Sequence, residues 1–291
     1  MKGSEGHDTD AGHKRRPERA PSLVGARSIA APHLFDCWPQ VVRSIRSAKS
    51  LALFLDFDGT LVALRKLPSD VEPLDLPLRR ALHGLARHKR LKIYVISGRR
   101  LADIDRLVHV QGIRLLGLHG WEGRRVPPLR AERGLLREAR EVLERRLSSL
   151  PEIRLEDKGL ALAVHYRAAS PRAVRSARVI IEEVLRDLKP RIHMLRGHKV
   201  WELLPRQISG KGSSVLALLS ELPQPTLAIF VGDDGTDESA FRDLPDGLTI
   251  RVGKHPRTAA RFLLESPEEV RLFLLRLDAA IAAGSKSSGA Q

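Results

Sequence analysis

Leu51-Ala52-Leu53-Phe54-Leu55-Asp56-Phe57-Asp58-Gly59-Thr60 runs five consecutive apolar side chains into two carboxylates and a glycine turn. A strand with one wet face alternates apolar and polar residues. An unbroken apolar run fits a strand covered on both faces, as in a parallel sheet with helices on either side. Downstream, Leu78, Ala81, Leu82 and Leu85 recur at helical spacing over 78–88. A second apolar strand, 92–96, stops at Ser97-Gly98, and a helix follows through Leu107. A third strand, 113–118, stops at His119-Gly120. This alternation predicts an α/β fold with a doubly wound parallel sheet, Rossmann-like, whose chemistry lies at the carboxyl ends of the strands.

After Pro127-Pro128 the pattern changes. Residues 131–148 read as a helix, 153–156 and 160–166 as a hairpin around Asp157-Lys158-Gly159, and 171–187 as a second helix. Short strands near 191–195 and 199–204 follow. Strand–helix alternation then returns at 227–231, 237–241 and 249–252, and a last helix begins with the capping box Ser266…Glu269 and runs to about Ala282. The expected organisation is a core of residues 31–125 and 199–285, with an inserted α+β cap over 126–198. Residues 1–30 read as a disordered basic tail and 286–291 as a second disordered tail. Segments 123–129 and 196–198 are the candidate hinges for closing the cap over a substrate.

Composition narrows the function classes. The chain carries a net charge of +15, of which residues 1–30 supply +2, so +13 remains on the rest. A basic fold suits an anionic ligand. With 4% aromatic residues there is little material for a base-stacking surface, and no specific nucleic-acid partner is expected. No apolar run approaches the ~18 residues a membrane span needs, and no signal sequence is recognisable at the start. Cys37 is the single cysteine, which excludes an internal disulfide and a cysteine metal cluster and fits a reducing, cytoplasmic setting.

Four polar clusters follow apolar runs or turns. Asp56 and Asp58 are two residues apart. One carboxylate of such a pair can attack phosphorus while the other protonates the departing oxygen and later activates water. A polar turn closing a strand is the plain alternative. Ser97-Gly98-Arg99 offers a hydroxyl and free N–H groups as a phosphate cradle, or a simple helix cap. Lys211, in Ser209-Gly210-Lys211-Gly212, could offset charge on a transferring phosphoryl group, or be a solvated loop lysine. Gly232-Asp233-Asp234-Gly235-Thr236-Asp237-Glu238 concentrates acids suited to a hard, oxygen-seeking cation, or is an acidic loop leading into a helix.

In this order the four clusters resemble the haloacid dehalogenase superfamily. Further stretches narrow the resemblance to the trehalose-6-phosphate phosphatases. These are Leu116-Gly117-Leu118-His119-Gly120-Trp121-Glu122, Glu156-Asp157-Lys158-Gly159 with His165-Tyr166-Arg167, and Val200-Trp201-Glu202-Leu203-Leu204-Pro205. The match extends over about residues 50 to 255. It implies a Mg²⁺-dependent phosphoric monoester hydrolase of trehalose biosynthesis, converting trehalose 6-phosphate to trehalose and phosphate through an aspartyl-phosphate. It further implies Asp56 as nucleophile and metal ligand, Asp58 as general acid/base and metal ligand through its carbonyl, and Asp233 as the other metal carboxylate. Asp234 and Asp237 would support the metal site or position Lys211. Thr60, Ser97, Gly98 and Lys211 would hold the phosphoryl group. His119, Glu122, Glu156, Lys158, His165, Arg167, Lys199 and Glu202 would contact the sugar. His198 stands where the family commonly has a lysine, with Lys199 beside it. A phosphatase for another sugar phosphate, of the sucrose or glucosylglycerol type, is the nearest alternative, and a noncatalytic basic binding protein the more distant one.

Overall fold

The computed structural model describes residues 31–65, 67–188, 190–254 and 257–287. The tail expected over 1–30 and residues 288–291 of the second lie outside them. Residues 286 and 287 instead end the last helix.

The core is a six-stranded sheet in the order β10-β9-β8-β1-β2-β3, with every pairing parallel. Its strands are β1 (Ser50–Leu55), β2 (Leu91–Ile96), β3 (Ile113–Leu116), β8 (Thr226–Gly232), β9 (Leu248–Val252) and β10 (Phe262–Leu264). β1 lies between β2 and β8, and its alternation explains why it is apolar throughout. Leu51, Leu53 and Leu55 enter one buried cluster with Val41 and Ile45 of α1 (Trp38–Ser47) and Leu78, Leu82 and Leu85 of α2 (Leu76–Ala86). Ile104 of α3 (Leu101–Val108) and Phe273 and Leu277 of α8 (Pro267–Ser287) complete that face. Ala52 and Phe54 point the opposite way. They meet Val215 and Leu218 of α6 (Lys211–Ser220) and Phe241 of α7 (Asp237–Asp243). Each fully buried Leu or Phe here contributes about 1.5–3 kcal/mol.

The insert has a four-stranded antiparallel sheet in the order β4-β5-β7-β6, backed by two helices. The strands are β4 (Arg154–Asp157), β5 (Leu162–His165), β6 (Ile192–Gly197) and β7 (Val200–Pro205); the helices are α4 (Arg130–Leu147) and α5 (Pro171–Leu185). Leu162, Val164, Trp201 and Leu203 face Leu136, Leu143, Ala177 and Ile181 of the helices. The residues between them in sequence, Ala163 and Glu202, take the other face.

Several sequence expectations change. β7 is paired within the cap sheet, so the boundary at 198/199 is corrected to one beyond Pro205. An apolar strand does not reveal which sheet it will join. Residues 196–198 are the end and turn of the β6–β7 hairpin rather than a linker. The last helix begins at Pro267, and Glu269 accepts the N–H of Glu265 rather than closing a box with Ser266. Among the described residues no helix is long and apolar enough to cross a membrane.

Candidate active site

Asp56 is the first residue beyond β1, where its N–H still donates to Val231 of the neighbouring strand at 2.9 Å. Its carboxylate is buried and receives the Thr60 hydroxyl at 3.2 Å and an ion pair from Lys211. Lys211 is no solvated loop residue. It opens α6, is 2% exposed, and sets Nζ 2.7 Å from Asp237 as well as against Asp56. Asp237 is fully buried at the start of α7, and its other oxygen accepts the Asp234 N–H at 2.9 Å. Asp233 follows β8, and its Oδ1 is buried without a hydrogen-bond partner.

Asp56, Asp233 and Asp237 each bring one oxygen within 4.8 Å of the others. Burial pushes the Asp56 carboxyl up to about 7, with Lys211 opposing and Asp237 adding to the rise. Burial, reinforced by Asp56 and Asp237, pushes Asp233 up to about 10. Burial would lower the Lys211 ammonium, but Asp237 and Asp56 outweigh it and hold the group charged well above the ordinary lysine range. One ammonium among three carboxylates, two buried and one half-buried, leaves the cluster short of positive charge. An all-oxygen donor set with an orphaned oxygen suits a hard divalent cation, so the cluster could hold a metal.

The turn after β1 depends on a glycine. Gly59 has φ +83°, and a Cβ there would lie 2.1 Å from the Asp233 carboxylate. Asp58, one residue earlier, turns away from this cluster. Arg99 grips both its oxygens, Nε to Oδ2 at 2.7 Å and Nη2 to Oδ1 at 2.6 Å. Ser97, after β2, is buried, and its hydroxyl oxygen accepts the Arg99 N–H at 3.1 Å.

The cap sheet roofs this end of the core. Glu202 Oε1 receives Lys158 Nζ at 2.6 Å, and Oε2 meets His119 Nε2 at 2.6 Å. Lys158 also donates to the Gly98 carbonyl at 3.0 Å. A Cβ on Gly98 would come within 3.0 Å of the His119 ring, so within the core this turn and the His119 ring are tightly packed. His119 holds a left-handed backbone, φ 56°, ψ 28°, uncommon for a residue with a side chain. Glu156 and His165 pair at 2.7 Å on adjacent strands, and Arg167 reaches the Arg65 carbonyl of the core.

Between roof and floor lies a cavity of about 670 Å³, within the range of small-molecule sites. Asp56, Asp58, Ser97, Gly98, Lys211, Asp233 and Asp234 line it from the core, together with His119. Glu156, Lys158, His165, Arg167, His198, Lys199 and Glu202 line it from the cap. Two expected contacts lie elsewhere. Glu122 accepts the Leu101 N–H at 2.6 Å and so serves the start of α3, one of the free donors every helix must satisfy. Thr60 is fully buried beneath Asp56, outside the cavity lining. Asp234 accepts the His198 N–H at 3.1 Å, tying the β6–β7 turn to the acidic loop. Arg99 and Arg251 escaped the sequence reading. Arg251 Nη1 reaches Glu238 at 2.9 Å, an ion pair that holds the loop's last acid away from the cluster. The Ser-Gly-Arg run was a signal for Arg99, but its partner is 41 residues away.

A parallel sheet with an aspartate and lysine cluster at its strand ends, roofed by an inserted α+β cap, defines the haloacid dehalogenase type of fold. Residues 54–266 match the family model described as trehalose-phosphatase. The chain is 34% identical over 243 residues to the trehalose-phosphate phosphatase of Mycobacterium ulcerans, covering 78% of this chain and 61% of the relative. It therefore spans about 61% of the length of that curated relative. The C-terminal domain of Candida albicans trehalose-6-phosphate phosphatase superposes with a TM-score of 0.74 at 22% identity, over 86% of this chain and 99% of that one. A trehalose-6-phosphate phosphatase related protein gives a TM-score of 0.66 at 29% identity, over 78% and 97%. The chain belongs to the trehalose-phosphatase family.

Proposed function

We propose that the chain hydrolyses trehalose 6-phosphate to trehalose and inorganic phosphate. The observation that carries this reading is the single cavity joining the Asp56–Lys211 pair to the polar face of the cap sheet, with room for a disaccharide phosphate. The names of the relatives agree with it. Mg²⁺ is the proposed cation, held by Asp56, Asp233 and the Asp58 carbonyl, with Asp237 adjoining; when bound it neutralises the carboxylates and the phosphoryl oxygens.

In the first step an Asp56 oxygen attacks phosphorus and the bond from phosphorus to the sugar oxygen breaks. Asp58 gives its proton to that oxygen, so trehalose leaves as the alcohol. In the second step Asp58 takes a proton from water. The hydroxide attacks phosphorus, the bond to Asp56 breaks, and inorganic phosphate is released. Lys211 and Ser97 hold the phosphoryl oxygens, and Lys211 keeps Asp56 ionised and oriented. Glu156, Lys158, His165, Arg167, Lys199 and Glu202 read sugar hydroxyls with directional donors and acceptors. A cytoplasmic location accords with a single cysteine and a phosphorylated sugar substrate.

The test is phosphate release from a panel of sugar phosphates with Mg²⁺. Trehalose 6-phosphate should be turned over with the highest kcat/KM. Preference for sucrose or glucosylglycerol phosphate would reassign the substrate, and His198 at the family's lysine position is the first residue to examine in that case. No turnover of any sugar phosphate would end the enzymatic reading.

A further inference from the structure

Arg99 has no role in the mechanism above, yet it stands on the cavity wall and grips both carboxylate oxygens of Asp58. Its side chain is 13% exposed. Nε and Nη2 form a planar fork on the two oxygens of Asp58, and Nη1 donates to the Pro68 carbonyl at 2.9 Å. The guanidinium is thus anchored on one side by backbone and spends its other edge on Asp58. Asp58 lies two residues from Asp56 but does not join the Asp56–Asp233–Asp237 group. An unrestrained Asp58 would have other cations to choose from, because Lys158 of the cap lies within its electrostatic reach. A fork of two parallel N–H groups specifies direction as well as charge, which an ammonium cannot do.

We infer that Arg99 is the positioning residue for Asp58, holding its carboxylate out of the metal cluster and facing the cavity where the sugar oxygen departs. The inference rests on the proposed role of Asp58 as acid and base. When Asp58 carries the proton it donates, one oxygen remains an acceptor, so one arm of the fork persists and the protonated oxygen is left for the substrate. When Asp58 is the base, both arms close again.

The experiment compares Arg99→Gln, Arg99→Lys and Asp58→Asn with the unmodified protein, each loaded with Mg²⁺. Two substrates are used: trehalose 6-phosphate, whose sugar oxygen needs a proton to leave, and p-nitrophenyl phosphate, whose phenolate leaves without one. General acid help is worth about 10²–10⁴-fold, so both Arg99 variants should lose about 10- to 100-fold in kcat/KM on the sugar phosphate. This ratio covers the steps through departure of the alcohol and not the later hydrolysis, where Asp58 serves both substrates as base. On p-nitrophenyl phosphate they should lose less than about threefold in kcat/KM, as an unprotonated departure gains little from the acid. Asp58→Asn should show the same split, larger.

Equal losses on both substrates with a raised KM would overturn the inference and make Arg99 a direct phosphate ligand. Full recovery in Arg99→Lys would reduce its role to charge alone. A lowered Tm without the split between substrates would make it structural. If Asp58→Asn loses activity without a split, the acid assignment itself falls, and the inference with it. A split in Asp58→Asn but not in the Arg99 variants rejects the Arg99 inference alone.

Discussion

Glu202 of the cap sheet and His119 of the core meet at 2.6 Å across the roof of the cavity, both nearly excluded from solvent. Lys158 takes the other oxygen of Glu202, so one carboxylate satisfies two groups that burial would otherwise leave unpaired. Burial would raise the Glu202 carboxyl, but Lys158 and His119 outweigh it and hold it well below the usual range. Glu202→Ala strands Lys158 in a buried site, and breaking a buried pair from one side costs about 3–5 kcal/mol. The urea midpoint should therefore fall at unchanged m-value. Glu202→Gln keeps a hydrogen-bonding group and should cost less. Equal, small losses in both would show that the cap opens enough to hydrate Lys158.

Asp56→Asn tests the nucleophile directly. The amide keeps the volume of the carboxylate but cannot form the acyl phosphate. Turnover should drop by about 10⁴-fold or more, the scale seen when a nucleophile is removed from an enzyme. Acid quench with labelled substrate should trap phosphate on the unmodified protein and none on the variant. Retention of ordinary turnover with Mg²⁺ would place the nucleophile elsewhere.

Gly59→Ala should damage the cation site without replacing a charged residue. The left-handed φ of +83° disfavours a side chain, and the added methyl would occupy the position of the Asp233 carboxylate. Backbone strain of this kind costs about 1–3 kcal/mol. Thermal unfolding without metal should show that loss. Calorimetric titration should show Mg²⁺ affinity reduced, because Asp233 must move. Unchanged affinity would exclude Asp233 as a ligand.

The pH dependence of the metal-free protein follows from the sign of the carboxyl shifts. Asp233 is raised from 3.8 to about 10, and Asp56 from 3.8 to about 7. The folded state thus binds more protons than the unfolded state between those values. Their contribution to stability is full below about 3.8 and is lost as pH rises through the folded values. The Tm without metal should decline from pH 5 to pH 9. Mg²⁺ should raise Tm more at pH 9 than at pH 5, since Asp56 is then ionised and Asp233 gives up its proton more readily. Asp233→Asn should flatten the metal-free decline. A Mg²⁺ effect independent of pH would contradict the protonated cluster.

Much of the core was legible because its strands are buried on both faces. β1 reads as an unbroken apolar run for that reason, and the polar clusters stand out where such runs stop. α6 was not legible. Its first residues, Lys211 and Gly212 after Gly210, look like a loop, and only packing of Val215 and Leu218 beside Phe54 makes the segment a buried helix. The strand near 199–204 was legible as a strand, but the boundary drawn at 198/199 put it with the core, whereas hydrogen bonding places β7 in the cap. Glu122 sits in a stretch that resembles the family's sugar-contact region, but the nearest unsatisfied donors are those at the start of α3.

Local sequence determined which residues stand at the strand ends and what chemistry their side chains can perform. Apolar periodicity is a property of near neighbours, and each strand end follows from it. Which group meets which was decided only in the folded chain. The Asp58–Arg99, His119–Glu202 and Asp56–Lys211 pairs join residues 41, 83 and 155 positions apart. Those separations are closed by the parallel order of the sheet and the docking of the cap. A charge left without its partner in so dry a site would cost several kcal/mol, so the final pairing is set by the packing that removes water.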